Sequence, residues 1–415
     1  MADVVVIGGG ILGAATALHL ADAGVSDVVL LEREAALGTQ TTAAGAGFVG
    51  YWAGELEAEL AEYGMEFYTG LHDRIGGDLG VRRVGLLFPA VSEPGVEMLR
   101  QEHERELPFA PGVVMLDAAD TERMAPILAP GSVHGALLQP DAHRVDTVRV
   151  MTALEAELER VGVDVRTGVT AEGAVVEQGR VAGVRTSDGP IAAGALVNAA
   201  GAAARAVAAR DGVDVAAVPL LESRFTTEPI AGVARDLPML LFFERDLLYV
   251  REHDGGLLVG AIERSFDARS RVALEAPPRT AELSDHAARD HERLARELAG
   301  VIPALGDARV RERASGLPTW TPDGRHILGL APEIDGYVVL AGCNESCVTH
   351  GPGLARLAAE LATTGTCDAD ISAYRVDRFG ALSSGDLQAA AEHQYLLRHP
   401  PAAGVAAAPF GIELP

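Results

Sequence analysis

The chain has 415 residues, of which 48% are hydrophobic and 22% are charged, a balance that suits a globular protein of two domains. Its formal net charge of −25 predicts repulsion from nucleic acid and from anionic membrane surfaces. All 34 basic residues are arginine, so any chemistry that needs a lysine base or a lysine Schiff base is excluded.

The chain begins with a strand–helix–strand pattern. Residues 4–7 are continuously apolar, as in a strand buried on both faces, and a helical pattern follows over residues 11–23. Gly24 ends this helix, and residues 28–31 form a second buried strand that leads into Glu32.

Further elements follow from the same periodicities. Residues 217–265 alternate as in an antiparallel sheet, with a turn at 253–256. Other strands are expected at 164–166, 174–177, 181–186, 196–198 and 336–341. Helices are expected at 55–75, 145–161, 279–298 and 352–363.

The first turn and helix carry the motif Gly8-x-Gly10-x-x-Gly13. Gly8 permits a tight turn, Gly10 lets a pyrophosphate approach the backbone, and Gly13 lets the helix pack on the sheet. Glu32, 19 residues after Gly13, suits hydrogen bonds to an adenosine ribose and repels a 2′-phosphate. The pattern predicts a Rossmann-type dinucleotide site that disfavours NADP, and it leaves NAD and FAD open.

Three later segments resemble those of the D-amino acid oxidase family of FAD enzymes. They are residues 38–45, residues 195–201, and a C-terminal stretch comprising 321–329, Gly336 and 342–353. These segments span almost the whole chain in the order that the family has. The nearest branch comprises sarcosine oxidase, the dimethylglycine and sarcosine dehydrogenases, and glycine oxidase.

The resemblance implies a fold that combines α/β and α+β parts. A glutathione-reductase-like Rossmann FAD domain would carry an inserted, mainly antiparallel-sheet substrate domain. We expect the FAD domain at residues 1–78, 140–215 and 315–385, the substrate domain at 79–139 and 216–314, and a C-terminal arm at 386–415.

The resemblance also implies how FAD is held. We expect non-covalent FAD, because Thr42 stands where some relatives have a flavin-bearing histidine, and residues 313–318 lack the cysteine that others use. A helix starting near Pro352 would direct its N-terminal dipole at the flavin. The expected cofactor-binding residues are Gly8, Gly10, Ile11, Leu12, Gly13, Glu32, Arg33, Thr39, Thr41, Thr42, Ala43, Ala44, Gly45, Val169, Ala171, Ala200, Gly201, Gly342, Asn344, Ser346, Cys347, Val348 and Thr349.

The catalytic candidates lie on the substrate side. Tyr249 and Arg251 share one face of a predicted strand, which lines the substrate cavity in the resembling family. The planar fork of Arg251 suits a substrate carboxylate, with Arg224 as the second choice, although pairing of Arg251 with Glu252 or Glu263 is an equally simple explanation. His350 is the remaining candidate, as a cation near the flavin.

Several other residues are expected to lie around the site or elsewhere in the protein without taking part in the reaction. Tyr51 and Trp52 follow the Gly/Ala-rich loop and fit either a pocket wall or ordinary core. The three cysteines, Cys343, Cys347 and Cys367, are too few for a disulfide framework and lack a second pair of zinc ligands. We therefore expect no metal and a reduced, cytoplasmic setting, with no secretory signal and no membrane span.

The expected function is FAD-dependent oxidation of the C–N bond of a small amine, an amino acid or an N-alkyl amino acid, giving an imine that hydrolyses. The alternatives are oxidation of a 2-hydroxy acid and a flavoprotein subunit of a larger amine dehydrogenase. A tRNA-modifying role, known in one branch of the family, is disfavoured by the acidity. The electron acceptor is O2 or an unknown protein or quinone, and the absence of lysine favours slow reaction with O2.

Overall fold

The computed structural model describes residues 2–50, 54–244, 248–261 and 271–398. Its helices are α1 (Ile11–Asp22), α2 (Thr39–Ala44), α3 (Glu55–Ile75), α4 (Glu93–Glu106), α5 (Ala118–Met124), α6 (Thr147–Arg160), α7 (Ala204–Ala209), α8 (Ser284–Leu298), α9 (Cys347–Thr364) and α10 (Ser384–Arg398). Within the described ranges, none of the helices has both the length and the hydrophobicity that crossing a bilayer requires.

The strands belong to two large sheets and two small ones. They are β1 (Ala2–Ile7), β2 (Val28–Glu32), β3 (Phe48–Val49), β4 (Arg82–Arg83), β5 (Leu86–Ala90), β6 (Val114–Asp117), β7 (Gly135–Gln139), β8 (His143–Arg144), β9 (Asp164–Thr167), β10 (Ala171–Glu177), β11 (Arg180–Thr186), β12 (Ile191–Asn198), β13 (Val218–Pro219), β14 (Glu222–Thr227), β15 (Met239–Phe242), β16 (Leu248–His253), β17 (Gly256–Ala261), β18 (Val310–Gly316), β19 (Thr319–Trp320), β20 (Ile327–Leu330) and β21 (Tyr337–Ala341).

The first sheet has a parallel centre in the order β9-β2-β1-β12-β21. Strand β20 adds to β21 antiparallel, and the β10–β11 hairpin pairs with β12. Val4 and Val6 pack with α1, α6 and α9 on one face, and Val5 and Ile7 pack with α7 on the other. Both faces are covered, which explains why the first strand is apolar throughout.

The second sheet runs β18-β14-β17-β16-β15-β5-β7-β6, and every neighbouring pair except β5 with β15 is antiparallel. The predicted turn between β16 and β17 is present, with Asp254 at φ +50° and Gly255 at φ +82°. A Rossmann-type sheet beside a mainly antiparallel sheet confirms the predicted fold class. The domain boundaries given above remain a prediction.

Most predicted helices appear within a few residues, but two begin elsewhere. The helix predicted over 55–75 is present as α3. The helix predicted over 279–298 begins later, as α8 at Ser284, after a 3₁₀ turn at Thr280–Leu283. Helix α9 begins at Cys347, five residues before Pro352, so the prediction that it starts at Pro352 was wrong.

Pro352 is tolerated inside α9 because a side chain replaces its missing donor. Proline has no N–H, so the carbonyl of Val348, four residues earlier, loses its helical partner. The hydroxyl of Tyr68, on α3, donates to that carbonyl at 2.7 Å. Tyr68 is only 1% exposed. The bond forms between residues 280 positions apart, so nothing local to Pro352 could reveal it.

Residues of the expected C-terminal arm form part of the core as far as they are described. Helix α10 buries Leu387, Ala391 and Tyr395, and the Tyr395 ring lies edge-on to Trp320 with centroids 5.0 Å apart. Arg271 also donates to the carboxylate of Glu392 through Nε and Nη2. These contacts hold helix α10 against the body of the protein. Residues 399–415 lie outside the described part.

We predict that Tyr68→Phe destabilises the protein by about 1–3 kcal/mol, because the Val348 carbonyl is then buried without a donor. Urea unfolding of the two proteins measures the loss. Pro352→Ala supplies an N–H to the same carbonyl, so the cost of Tyr68→Phe should shrink in a Pro352→Ala background. An equal cost in both backgrounds would show that the hydroxyl does not replace the missing helical bond.

Candidate active site

A cavity of about 410 Å³ lies between the two large sheets, within the usual size range of ligand sites. Gly8 and Gly10 line it from the β1–α1 turn, and Glu32 lines it from the end of β2. Leu241 and Tyr249 line it from the second sheet. One cavity therefore joins the dinucleotide motif to the antiparallel sheet.

The glycine motif forms a turn that side chains would block. Gly8 has φ +106°, and a β-carbon there would lie 2.4 Å from the carbonyl oxygen of Ala199. A β-carbon on Gly13 would lie 1.8 Å from the carbonyl oxygen of Gly8. At Gly10 the nearest heavy atom, Oγ1 of Thr41, is 3.3 Å away. The turn thus packs tightly behind the cavity and leaves its front open at Gly10.

The N-terminus of α1 faces this opening. Its N-cap, Gly10, has no side chain to bond the amides of the first turn, and Gly10, Ile11 and Leu12 all line the cavity. The Ile11 amide donates to Oγ1 of Thr41 at 3.0 Å. The amides of this first turn and the positive end of the helix dipole make this an anion site, which fits the diphosphate of a dinucleotide.

Glu32 is held in place by two backbone amides. The Gly9 amide donates to Oε2 and the Glu34 amide to Oε1, each at 2.8 Å. Burial raises the pKa of Glu32, and these two hydrogen bonds oppose the rise. A carboxylate has lone pairs beyond those two, so Glu32 can also accept hydrogen bonds from ribose hydroxyls.

Helix α9 brings a second N-terminus to the cavity. Asn344 and Glu345 adopt left-handed conformations with φ of +43° and +64°, and the turn is closed by the Ser346 amide, which donates to the Cys343 carbonyl at 2.7 Å. Cys347, Val348 and Thr349 then line the cavity from the first turn of the helix. The helix whose dipole was expected to begin at Pro352 therefore begins at Cys347, and its positive end lies at that residue.

Most of the expected cofactor-binding residues line the cavity, and six lie behind its wall. The lining residues are Gly8, Gly10, Ile11, Leu12, Glu32, Arg33, Thr39, Thr41, Ala44, Gly45, Val169, Ala171, Ala200, Gly201, Cys347, Val348 and Thr349. The six are Gly13, Thr42, Ala43, Gly342, Asn344 and Ser346. Asn344, for example, accepts from the Thr321 amide and donates to the Gly342 carbonyl, which fixes the loop before α9.

Of the four catalytic candidates, Tyr249 lines the cavity. Its ring meets Phe48 edge-on with centroids 5.5 Å apart, and burial raises the pKa of its hydroxyl, which therefore stays protonated. Tyr51, Trp52 and Glu263 lie outside the described residues.

Arg251 and Arg224 do not reach the cavity wall. The segment that carries Thr42, Ala43 and Ala46 lies between these two arginines and the cavity. Arg251 donates from Nε to the Ala46 carbonyl and from Nη1 to the Glu252 carbonyl. Arg224 donates to the carbonyls of Thr42 and Ala43. Both guanidinium groups thus hold backbone, and neither side chain is on the cavity wall.

His350 also lies off the cavity wall. Its Nδ1 is 3.0 Å from Nε2 of His326, whose Nδ1 is 3.0 Å from the Gly342 carbonyl. A carbonyl only accepts, so His326 donates from Nδ1, and a neutral His326 then accepts from Nδ1 of His350. Both of these hydrogen bonds can form without a positive charge on either ring.

The cavity is also lined by side chains that were not among the expected site residues, including Glu222, Cys343 and Glu345. Glu222 precedes Arg224 by two residues on β14, so strand alternation places both on one face. Cys343 and Glu345 lie within the glycine-rich segment 342–353, where attention to the left-handed turn could have identified them.

Residues 3–361 match the family described as FAD dependent oxidoreductase (DAO). The chain belongs to this family. Its cofactor is FAD, and the glycine turn, the helix N-terminus and Glu32 fit the ADP half of that molecule.

Two of the relatives extend well beyond this chain. The chain is 30% identical over 387 residues to 4-methylaminobutanoate oxidase (formaldehyde-forming) of Paenarthrobacter nicotinovorans, covering 90% of the chain and 45% of the relative. It is 29% identical to mitochondrial sarcosine dehydrogenase of Homo sapiens, covering 91% and 41%. The chain thus spans less than half the length of these relatives.

A solved structure matches nearly end to end. Iminodiacetate oxidase from Chelativorans sp. BNC1 superposes with a TM-score of 0.74 and is 26% identical, and the match covers 90% of this chain and 98% of that one. The relationship therefore extends across both large sheets.

We predict that FAD is bound without a covalent link. Within the described residues, no histidine lines the cavity. Acid precipitation should give a colourless pellet and a yellow supernatant. A yellow pellet would contradict the prediction, and peptide mapping together with Cys343→Ser and Cys347→Ser would then locate the attachment.

Proposed function

We propose that this protein oxidises the C–N bond of an amino acid or N-alkyl amino acid. The observation that carries the proposal is the single cavity that runs from the dinucleotide turn at Gly8 to Tyr249 on the second sheet. Bound FAD supplies a two-electron acceptor for the hydrogen on the carbon beside nitrogen. The residues of the second sheet then bind and orient the substrate.

The named relatives support an amine substrate. 4-Methylaminobutanoate, sarcosine and iminodiacetate are all secondary amines with a carboxylate. The oxidase of 4-methylaminobutanoate and the sarcosine dehydrogenase are more than twice as long as the part that this chain matches, so the substrate and the electron acceptor are part of the proposal. An acceptor protein or quinone is favoured over O2 for the electrostatic reason given below.

The apolar surface around Tyr249 serves to exclude water from the substrate. Leu241, Tyr249 and Phe48 line this part of the cavity, and all three side chains pack in the same apolar cluster. A dry site keeps the amine neutral and strengthens the hydrogen bonds and charges that orient it. The Tyr249 hydroxyl, which burial keeps protonated, provides a donor within this surface.

Arg251 is the proposed partner of the substrate carboxylate. It is 2% exposed, and the structure as described contains no carboxylate within 4.0 Å of its guanidinium. Burial lowers the pKa of Arg251 to about 10, so it stays charged at neutral pH. Gly47 lines the cavity, and a β-carbon there would lie 3.5 Å from Nη2 of Arg251. A buried cation one residue behind the wall suits an anionic ligand.

The test of function is anaerobic reduction of the yellow protein. Amino acids, N-methyl amino acids and 2-hydroxy acids are added in turn, and bleaching of the flavin is followed together with product analysis. The proposal expects bleaching with release of ammonia or an alkylamine. Bleaching only by 2-hydroxy acids, with no nitrogen released, would replace it with hydroxy acid oxidation.

We predict that Arg251→Ala raises the substrate concentration for half-bleaching at least about tenfold, because losing a charged partner costs about 2–5 kcal/mol. FAD content should not change. An amine that lacks the carboxylate is the matched control, and its half-bleaching concentration should be the same in both proteins. Equal values for the carboxylate substrate would remove Arg251 from the site, and Arg224→Ala would be tested next.

We predict slow reoxidation of the reduced protein by O2. Superoxide is an anion, so a cation beside the flavin favours its formation. The chain has no lysine, and near Tyr249 the cavity wall carries Glu222 and Glu345, whereas Arg224 and Arg251 lie behind the wall and donate to backbone carbonyls. Stopped-flow mixing with aerated buffer measures the rate, and a lysine-bearing sarcosine oxidase is the reference.

His350→Ala provides the structural check on that rate. The ring lies behind the wall and bonds His326, so its removal should leave reoxidation unchanged. Reoxidation as fast as in the lysine-bearing reference would contradict the account, and a rate lost in His350→Ala would identify that ring as the cation.

A further inference from the structure

Two cysteine thiols meet on the wall of the cavity. Cys343 lies in the loop after β21, and Cys347 is the first residue of α9. The left-handed turn through Asn344 and Glu345 folds the chain back, and both cysteines line the cavity. Each of the two sulfurs is the largest influence on the pKa of the other, as expected for thiols within hydrogen-bonding range.

The surroundings of Cys343 stabilise a thiolate. The hydrogen bond from Cys347 is the largest influence, and the backbone amides of Thr319 and Glu345 add to it, so the pKa of Cys343 falls to about 7 despite burial. The pKa of Cys347 rises well above its usual value, because it donates to Cys343 and is itself buried. One sulfur is therefore a nucleophile at neutral pH, and its neighbour is a protonated thiol.

We propose that Cys343 and Cys347 form a peroxide-reactive dithiol that oxidises to a disulfide at the cavity wall. The Cys343 thiolate attacks one oxygen of hydrogen peroxide, the O–O bond breaks, and the released hydroxide takes a proton to become water. Cys347 then attacks the resulting sulfenic acid, an S–S bond forms, and a second water leaves with the Cys347 proton. Two thiols and one peroxide thus give one disulfide and two waters.

The third cysteine serves as an internal reference. Cys367 lies on the loop after α9, its thiol donates to the Ala369 carbonyl, and burial raises its pKa. It does not line the cavity. The same protein molecule therefore carries an activated pair and an ordinary thiol, and both meet the same peroxide.

The experiment treats the reduced, FAD-loaded protein with one equivalent of hydrogen peroxide. Thiols are counted after denaturation, and non-reducing peptide maps identify any cross-link. We expect the count to fall from three to one, with a mass loss of about 2 Da and a peptide joining Cys343 to Cys347. The rate should rise with pH across the neutral range, because the lowered pKa of Cys343 lets its thiolate fraction increase there.

Single substitutions separate the two roles. Cys347→Ser should stop at a sulfenic acid on Cys343, which dimedone traps, whereas Cys343→Ser should lose its fast reaction. Cys367→Ser is the matched control and should form the disulfide at the unaltered rate. Three results would each overturn the proposal: retention of all three thiols, loss of the Cys367 thiol first, or a stable sulfinic acid on Cys343 beside a free Cys347. Each of these results can be measured on the native protein without any substitution.

Discussion

The structure depends on one close approach between two pieces of backbone. Helix α1 rests on the turn that leads into it, so near that a β-carbon on Gly13 would lie 1.8 Å from the Gly8 carbonyl oxygen. This contact sets the direction of α1, and hence where its free amides point. Glu32 is anchored to the same turn through the Gly9 amide. The diphosphate and ribose sites are therefore positioned by a single constraint.

Arginine side chains connect this cofactor region to the rest of the molecule. Arg33 donates to the carbonyls of Pro277 and Pro278 at 3.2 and 3.0 Å, across the adenosine end of the cavity. From the second sheet, Arg224 and Arg251 donate to carbonyls between Thr42 and Ala46. In a chain without lysine, the five donors of each guanidinium can hold a loop and still keep hydrogens for a ligand.

The sequence was informative where structure is locally determined. The first strand, the glycine motif and Glu32 could be found because the apolar run and the spacing are features of adjacent residues. The start of α9 could not, since Pro352 is compatible with the helix only through the distant hydroxyl of Tyr68. The same reason hid the partners of Arg251 and His350, whose hydrogen bonds connect segments far apart in the chain.

The most direct test of the account compares two glycine substitutions inside helices. Gly13→Ala places a methyl group against the Gly8 carbonyl, whereas a β-carbon on Gly70, in α3, meets no atom within 4 Å. FAD content after gel filtration and FAD affinity by fluorescence are measured for both variants. Gly70→Ala should bind FAD as the native chain does, and alanine should favour its helix by up to about 1 kcal/mol. Gly13→Ala should be isolated with little or no FAD. Native FAD affinity in Gly13→Ala would contradict the claim that this contact builds the cofactor site.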